Sequence, residues 1–288
     1  MRNLNYEIKQ LFSRNKDGSF ATQADRNKIL TMVANQIHDL GYRNLKLKNI
    51  QDKHISALIK KWKEEGLSSG TLKNRMSSLR WLSQKINKPA LIAKDNHVYG
   101  IDDRIFVTNI SKAFTLDLDC LKNITDPYTK ISLLLQQEFG LRREESIKFS
   151  PTFADQGDLI LLKSSWTKGG LSRVIPVRTA AQRQLLDHAH ALAKMGSLIP
   201  EDKNYIQQLN KFNYETNRVG IRNVHGLRHG YAQRLYRELA GWECPKCGGK
   251  TSKQLSNEEK KIDHNVRLII SAELGHKREE ITAVYLGR

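Results

Sequence analysis

The last quarter of the chain combines an imidazole, a guanidinium and a phenol at spacings that could serve one reaction. The segment 225–229 reads HGLRH, and His276 is followed nine positions later by Tyr285. On a helix, His225 and Arg228 are three positions apart and project from one face. A cation, a proton carrier and a nucleophile brought together suit chemistry on an anion.

Net charge indicates which class of anion the protein binds. The 288 residues carry 48 Lys and Arg against 30 Asp and Glu, a formal charge of +18. Such an excess is typical of proteins that bind nucleic acid or an anionic membrane. No apolar run approaches the roughly 18 residues of a membrane span. We therefore predict double-stranded DNA as the partner and no membrane contact, with a merely solubilising basic surface as the alternative.

Cysteine usage indicates the compartment and bears on metals. Three cysteines do not build a disulfide framework and fit a reducing compartment. The start of the chain lacks the apolar stretch of a signal peptide, so we expect a cytoplasmic protein. Cys244 and Cys247 form a CPKC motif, which is half of a four-ligand zinc site. No second pair follows, so a plain turn is favoured over zinc, and no metal or other cofactor is expected.

Residues 1–90 show the apolar spacing of helices and predict a helical domain. Its most informative helix runs from Ser69 to just before Pro89. A polar and basic strip lies beside the apolar stripe of that helix: Lys73, Ser77, Arg80 and Gln84. Such a strip is typical of a helix laid against a DNA duplex, and a solvated flank is the alternative. Helical periodicity then fades, which predicts an inter-domain linker over 91–114.

The second predicted domain, 115–288, contains helices and one β-hairpin. Two apolar runs, 158–163 and 172–177, flank the turn sequence TKGG at 167–170, which predicts two strands. A lysine at a hairpin tip, here Lys168, commonly keeps the loop in solution. The ribbon can also carry it into a DNA groove.

Two further helices would position the chemical groups. A short helix is predicted to begin near Arg142, where free backbone N–H groups suit a phosphate. A longer helix is predicted from His225. Its apolar residues recur at four-residue steps: Leu227, Tyr231, Leu235 and Leu239. This seam is expected to face the core.

Four separated segments within residues 136–288 resemble the tyrosine recombinases, the integrases of phages and mobile elements. GLRREE at 140–145 resembles the first arginine box of the family, and TKGG resembles its β-hairpin lysine segment. HGLRH resembles the His-x-Leu-Arg-His box. LGH at 274–276, followed by Tyr285, resembles the closing motif and the nucleophile.

This resemblance implies the architecture and the partners. The fold would be mainly α with a small β-hairpin (α+β), with a helical core-binding domain before a catalytic domain. The two would form a C-shaped clamp around DNA. A homo-tetramer on paired DNA sites, monomeric when free, would act with accessory DNA-bending proteins. The origin would be bacterial or phage, with the protein on the nucleoid.

The resemblance also implies a reaction, cleavage and rejoining of DNA. Tyr285 would attack the scissile phosphorus and leave a 3′-phosphotyrosyl link. Arg142 and Arg228 would stabilise charge on the non-bridging oxygens, which two guanidiniums can fork with paired donors. A 5′-oxygen leaves poorly unless it is protonated, and Lys168 is the candidate general acid.

Other residues are expected to support this chemistry. An imidazole has an unperturbed pKa near 6.5, so His225 and His276 can donate to phosphate or shuttle protons. Glu145 is expected to orient Arg142 or a histidine. Arg173, behind the hairpin turn, is an expected DNA contact. On periodicity alone Tyr285 would be a core tyrosine, with Tyr231 and Tyr236 as rival nucleophiles: only the joint pattern favours it.

The chain departs from the family pattern between Arg228 and Leu274, where it is longer. The excess, around 241–262, contains the CPKC motif and is predicted as a surface insertion for DNA or a partner. Two other functions share these sequence features. One is a non-catalytic DNA-binding or architectural protein, and the other is a type IB topoisomerase.

Overall fold

A computed structural model describes residues 3–288, and the chain divides into two compact units, Met1–Ile105 and Phe106–Arg288. The division falls inside the predicted linker. Ile92 and Ile101 are buried in the core of the first unit. The backbone up to that point therefore packs as part of the first unit.

The first unit is helical. Its helices are α1 (Asn3–Arg14), α2 (Phe20–Asp39), α3 (Asp52–Glu64) and α4 (Ser69–Lys85). The side chain of Ser68 accepts a hydrogen bond from the backbone N–H of Thr71, so α4 begins where the sequence predicts. Trp62 on α3 is fully buried and donates to Gln36 on α2 over 2.8 Å.

The second unit combines helices with one hairpin. Its helices up to the HGLRH segment are α5 (Leu118–Asn123), α6 (Pro127–Phe139), α7 (Arg143–Ile147), α8 (Pro151–Ala154), α9 (Ala180–Ala193), α10 (Tyr205–Arg218) and α11 (His225–Ala240). The strands β1 (Leu159–Leu162) and β2 (Arg173–Pro176) pair antiparallel, with Leu162 opposite Arg173. The predicted mainly helical fold with a small sheet is confirmed. Within residues 3–288, each helix is too short or too polar to span a membrane.

Helix α11 runs through the core, and the predicted seam holds for three of its four positions. Leu227, Tyr231 and Leu235 are buried, whereas Leu239 is 38% exposed. The prediction was wrong at Leu239 because this residue lies in the last turn of α11, where the neighbouring Arg237 and Glu238 are exposed as well.

The chain ends with α12 (Asn257–Glu273), a 3-10 turn (Glu279–Thr282) and α13 (Ala283–Leu286). Before α12, the predicted surface insertion contains a 3-10 turn over Pro245–Cys247. Cys244 is fully buried and Leu255 nearly so, and Cys244 belongs to the same core as Tyr285. Some side chains of this segment therefore pack onto the core, whereas others, such as Lys250 and Lys253, are exposed.

Candidate active site

Arg228 lies at the centre of the candidate site and is fully buried on α11. Its guanidinium donates to the carbonyl oxygens of Gly140 and Leu274, and its Nε lies 3.3 Å from the hydroxyl of Tyr285. Burial lowers the pKa of Arg228 to about 10, so it remains a cation at neutral pH. A guanidinium held from three sides has a fixed orientation.

Arg142 reaches the same place from the start of α7. Its Nη2 donates over 3.1 Å to the carbonyl oxygen of Leu274, the oxygen that also accepts from Arg228. Glycine is required at position 140, two residues before Arg142, because the backbone there has φ +62° and a Cβ would lie 2.4 Å from the ring of Tyr231. Two guanidiniums that share one acceptor face one another across a few ångströms.

Glu145 supports these cations from a fully buried position. It accepts from Nη1 of Arg142 over 2.8 Å and from both terminal nitrogens of Arg173 over 2.9 and 2.7 Å. Burial alone would raise the pKa of Glu145. The hydrogen bonds and charges of Arg173, Arg228 and Arg142 outweigh burial and lower that pKa to about 2. Three guanidiniums against one carboxylate leave this cluster with a net positive charge suited to an anion.

Arg173, the predicted DNA contact, has its guanidinium turned into the protein. Besides its two bonds to Glu145, it donates from Nε to the carbonyl oxygen of Glu273 over 2.8 Å. Its side chain is 7% exposed. The sequence could not show this, because Arg173 and Glu145 are 28 positions apart and meet only through packing of the hairpin on α7.

Tyr285 on α13 points its hydroxyl into this cluster. The oxygen lies 3.3 Å from Nε of Arg228 and 3.3 Å from Nε2 of His276, and the residue is 4% exposed. The rival tyrosines are engaged elsewhere. Tyr231 donates to Glu273 and Tyr236 donates to Asp263, each over 2.6 Å. In both rivals burial, then the neighbouring carboxylate, raises the pKa, which opposes a role as nucleophile.

Three imidazoles surround the phenol. The ring centroids of His225, His229 and His276 lie 6.0, 4.7 and 5.7 Å from that of Tyr285. Desolvation lowers the pKa of each histidine to about 4, with a further contribution from nearby cations such as Arg228. All three are therefore neutral at pH 7 in the free protein. Their pKa values lie below the unperturbed value near 6.5.

His229 is the neighbour of Tyr285 that sequence reasoning left out of the site. It is buried, and its Nδ1 has no hydrogen-bond partner among the described residues. The sequence does contain a signal for this placement. His229 follows His225 by four positions on one helix and so lies on the same face.

A lowered histidine pKa predicts acid sensitivity of the fold. The unfolded chain takes up a proton near pH 6.5 and folded His229 only near pH 4, so stability is full above pH 6.5 and falls as pH drops towards 4. For His229 the loss is at most about 3 kcal/mol. We expect urea unfolding at pH 7.5, 6.0 and 5.0 to show that the free energy of unfolding falls less with decreasing pH for His229→Gln than for wild type. His188→Gln, an exposed control, should parallel wild type; parallel curves for His229→Gln as well would contradict the prediction.

Lys168 lies outside this cluster. It is exposed in the loop between β1 and β2 and makes no hydrogen bond or ion pair with a residue in the described part of the chain. Gly169 and Gly170, with φ +94° and +68°, follow it directly. The structure therefore brings together five of the six predicted catalytic residues, and Lys168 would have to reach them by movement of its loop.

The predicted basic strip of α4 has mixed surroundings. Lys73 forms an ion pair with Asp103, and Arg80 donates to the carbonyl oxygen of Ala93 over 2.8 Å. Ser77 and Gln84 are exposed. Of the four, only Ser77 lines the groove between α2 and α4.

A groove of about 670 Å³ lies between α2 and α4. Its basic lining residues, Arg26, Lys28 and Arg75, were missed from the sequence. Arg75 stacks over the ring of Trp62 with its Cζ 5.0 Å from the ring centroid, and its Nη1 has no hydrogen-bond partner within residues 3–288. Sequence spacing on α4 alone cannot reveal a face that α2 completes.

The two cysteines of the CPKC motif lie on a tight turn. Cys244 is buried and Cys247 is exposed, and burial raises the pKa of Cys244 to about 12. Across residues 3–288 there is no group of three or more His, Cys, Asp or Glu side chains arranged to hold a metal ion.

Models of known protein families match two separate parts of the chain. A family model described as "Phage integrase, N-terminal" matches residues 1–91, and one described as "Integrase" matches residues 110–234. Together they cover three quarters of the chain. The chain belongs to the phage integrase family, the tyrosine recombinases. His276 and Tyr285 lie beyond the matched residues.

Solved structures show the same fold. XerH recombinase bound to difH substrate has a TM-score of 0.57 at 15% identity, covering 98% of this chain and 80% of that one. The Tn1549 transposon integrase with circular intermediate DNA has a TM-score of 0.56 at 12% identity, covering 100% and 96%. A lambda integrase tetramer bound to a Holliday junction has a TM-score of 0.59 at 16% identity, covering 96% and 76%. A comparison with curated protein sequences gave no significant match.

Proposed function

We propose that this protein is a site-specific DNA recombinase that cleaves and rejoins DNA through a covalent 3′-phosphotyrosyl intermediate. One observation carries the proposal. Arg142 and Arg228 converge on the carbonyl oxygen of Leu274, while the hydroxyl of Tyr285 lies 3.3 Å from both Arg228 and His276. A phosphodiester at this place would meet a nucleophile, two fixed cations and a neutral base.

Attack by Tyr285 forms the bond from its oxygen to phosphorus and breaks the bond from phosphorus to the 5′-oxygen. Neutral His276 accepts the phenolic proton at Nε2, since its lowered pKa leaves it unprotonated at neutral pH. The electron pair of the broken bond passes to the 5′-oxygen, which takes a proton from Lys168. The phosphotyrosyl link retains the ester, so a 5′-hydroxyl from another strand can reverse the step without ATP.

The arginines stabilise the charge that grows on the non-bridging oxygens. A guanidinium has five N–H groups, and three protein acceptors use only part of that number at Arg228. Arg142 is 20% exposed at its side chain, so it faces the space that the phosphate would enter. Because Glu145 and the backbone fix both groups beforehand, little reorganisation is needed during reaction.

Leaving-group protonation gives a test of Lys168. Lys168→Ala should slow cleavage of ordinary DNA by about 10²–10³-fold, because an alkoxide leaves poorly without a general acid. Sulfur in place of the 5′-bridging oxygen leaves as a thiolate of pKa about 8.5 and needs no acid. Single-turnover adduct formation should therefore proceed at wild-type rate for Lys168→Ala on the sulfur substrate. Lys163→Ala should behave as wild type on both; a sulfur substrate that stays slow with Lys168→Ala would remove Lys168 from this role.

The partners follow from this chemistry. Double-stranded DNA is the substrate, and the basic groove between α2 and α4 supports contact by the first unit as well. Two cleavages on each of two duplexes need four copies of a one-nucleophile chain, so we propose a tetramer on paired sites, with accessory DNA-bending proteins. Integration or excision of a mobile element, within the cytoplasm, is the proposed setting.

The test of this function is covalent trapping. Duplexes from DNA flanking the protein's own gene, found by footprinting, are nicked near the cleavage position so that the released fragment diffuses away. Wild-type protein should accumulate a covalent adduct. Binding without any adduct would indicate a non-catalytic architectural protein, and sequence-independent relaxation of supercoiled DNA would indicate a topoisomerase.

A further inference from the structure

The segment that carries Tyr285 is fastened through its backbone by side chains from three other parts of the second unit. Nζ of Lys246 donates to the carbonyl oxygen of Val284 over 2.8 Å. Nε2 of Gln233 donates to that of Tyr285 over 3.0 Å. Nη1 of Arg267 donates to that of Gly287 over 3.1 Å. Three carbonyl oxygens of four consecutive residues are thus held in place.

The CPKC turn supplies the first of these donors. The backbone N–H groups of Cys247 and Gly249 both donate to the carbonyl oxygen of Cys244, over 2.8 and 3.0 Å, so the turn is tight. Gly249 is required, because a Cβ there would lie 1.6 Å from the carbonyl oxygen of Glu243. With Cys244 anchored in the core, Lys246 between the two cysteines points to α13.

The same turn also contacts the second donor. The Sγ of Cys247 lies 3.3 Å from Oε1 of Gln233. Gln233 can therefore accept from the turn through its oxygen and donate to Tyr285 through its nitrogen. The turn reaches the backbone of α13 by two adjacent routes.

We propose that Lys246 is a positioning residue for Tyr285, and that the CPKC turn is a brace for the nucleophile segment. The inference rests on the proposed function, in which Tyr285 is the nucleophile. Among the described residues, Lys246 makes no hydrogen bond to the hydroxyl of Tyr285. It acts through the carbonyl oxygen of Val284, one residue before the nucleophile.

The placement of this lysine is costly, which argues that its contact is specific. Lys246 is 7% exposed, and lysines are rarely buried without a partner. Burial, and then the charge of Lys112, lowers the pKa of Lys246. A solubilising lysine would lie outwards, as Lys253 does in the same connection. A displacement of the reacting groups by about 1 Å can slow a reaction about 10²-fold. A donor that fixes α13 can therefore control the rate of cleavage.

The experiment compares Lys246→Met with Lys246→Arg and with Lys253→Met, the matched control for lost charge. Adduct formation is followed in single turnovers on the nicked duplex at saturating DNA, and DNA affinity is measured separately. Lys246→Met should form adduct about 10–100-fold more slowly than wild type, with affinity changed less than about twofold. Lys246→Arg, which retains a donor, should recover most of the rate, and Lys253→Met should match wild type.

The bridging-sulfur substrate separates positioning from proton donation. Lys246→Met should stay slow on it, because a better leaving group does not restore a displaced nucleophile. Equal rates for Lys246→Met and wild type would overturn the inference, as would rescue by sulfur or a rate loss matched by lost affinity. An absence of adduct with wild-type protein would instead refute the proposed function.

Hydrogen exchange gives a second measurement. Amides of residues 279–288 should exchange faster in Lys246→Met than in wild type, while those of α10 stay unchanged. If Lys246→Met does not fold, Lys246→Gln, which keeps a shorter polar side chain, takes its place in both measurements. Unchanged exchange at 279–288 in the folded variant would overturn the brace.

Discussion

Tyr285→Phe is expected to abolish covalent attachment to DNA. The substitution removes the attacking oxygen and leaves the ring, so we expect a fall of more than about 10⁴-fold in adduct formation. DNA affinity should change little, because the hydroxyl faces Arg228 and His276 inside the protein. The measurement is single-turnover trapping on the nicked duplex, with affinity determined in parallel.

The two rival tyrosines provide matched controls. Tyr231→Phe and Tyr236→Phe also remove a buried hydroxyl, and each leaves a carboxylate, Glu273 or Asp263, without that donor. Both variants should lose about 1–3 kcal/mol of stability and retain adduct formation. An adduct that survives in Tyr285→Phe and disappears in one of the controls would show that the tyrosine replaced in that control is the nucleophile.

The second large effect is expected for the paired guanidiniums. Arg142→Lys and Arg228→Lys should each slow adduct formation by about 10²–10³-fold, because a lysine keeps the charge and cannot fork two oxygens. Arg228→Lys should also destabilise the fold by roughly 1–3 kcal/mol, since the buried carbonyl oxygen of Gly140 would lose its donor, whereas that of Leu274 would still accept from Arg142. Arg142→Lys, partly exposed, should lose less stability.

A neutral scissile group distinguishes these roles from structural ones. A methylphosphonate at the scissile position replaces one charged oxygen with a methyl group, so less charge remains to be stabilised. The ratio of wild-type to Arg142→Lys rates should therefore be much smaller on methylphosphonate than on phosphate. The same ratio on both substrates would mean that Arg142 does not act on the phosphate charge.

Features set by local pattern could be predicted from the sequence. The start of α4, the hairpin around Lys168 and the short helix after Arg142 all follow from caps, turn residues and periodicity within a few positions. Spacing along α11 likewise placed His225 and Arg228 together. Membership of the family followed from four short motifs in order.

Features set by packing could not be predicted. Arg173 turns onto Glu145, and Lys246 reaches Val284 across 38 positions. No periodicity connects residues so far apart, because the contact exists only after the helices and hairpin have packed. The full burial of Arg228 was hidden for the same reason, as charge alone suggests exposure.

The most direct test of the central claim is to identify the residue and the linkage in the trapped adduct. The adduct from wild-type protein is digested with protease and nuclease, and the modified peptide is sequenced by tandem mass spectrometry. We expect one modified residue, Tyr285, joined to a 3′-phosphate, with a free 5′-hydroxyl on the released strand. A nucleotide attached to Tyr231, Tyr236 or any other residue, or a released strand that carries a 5′-phosphate, would contradict the account.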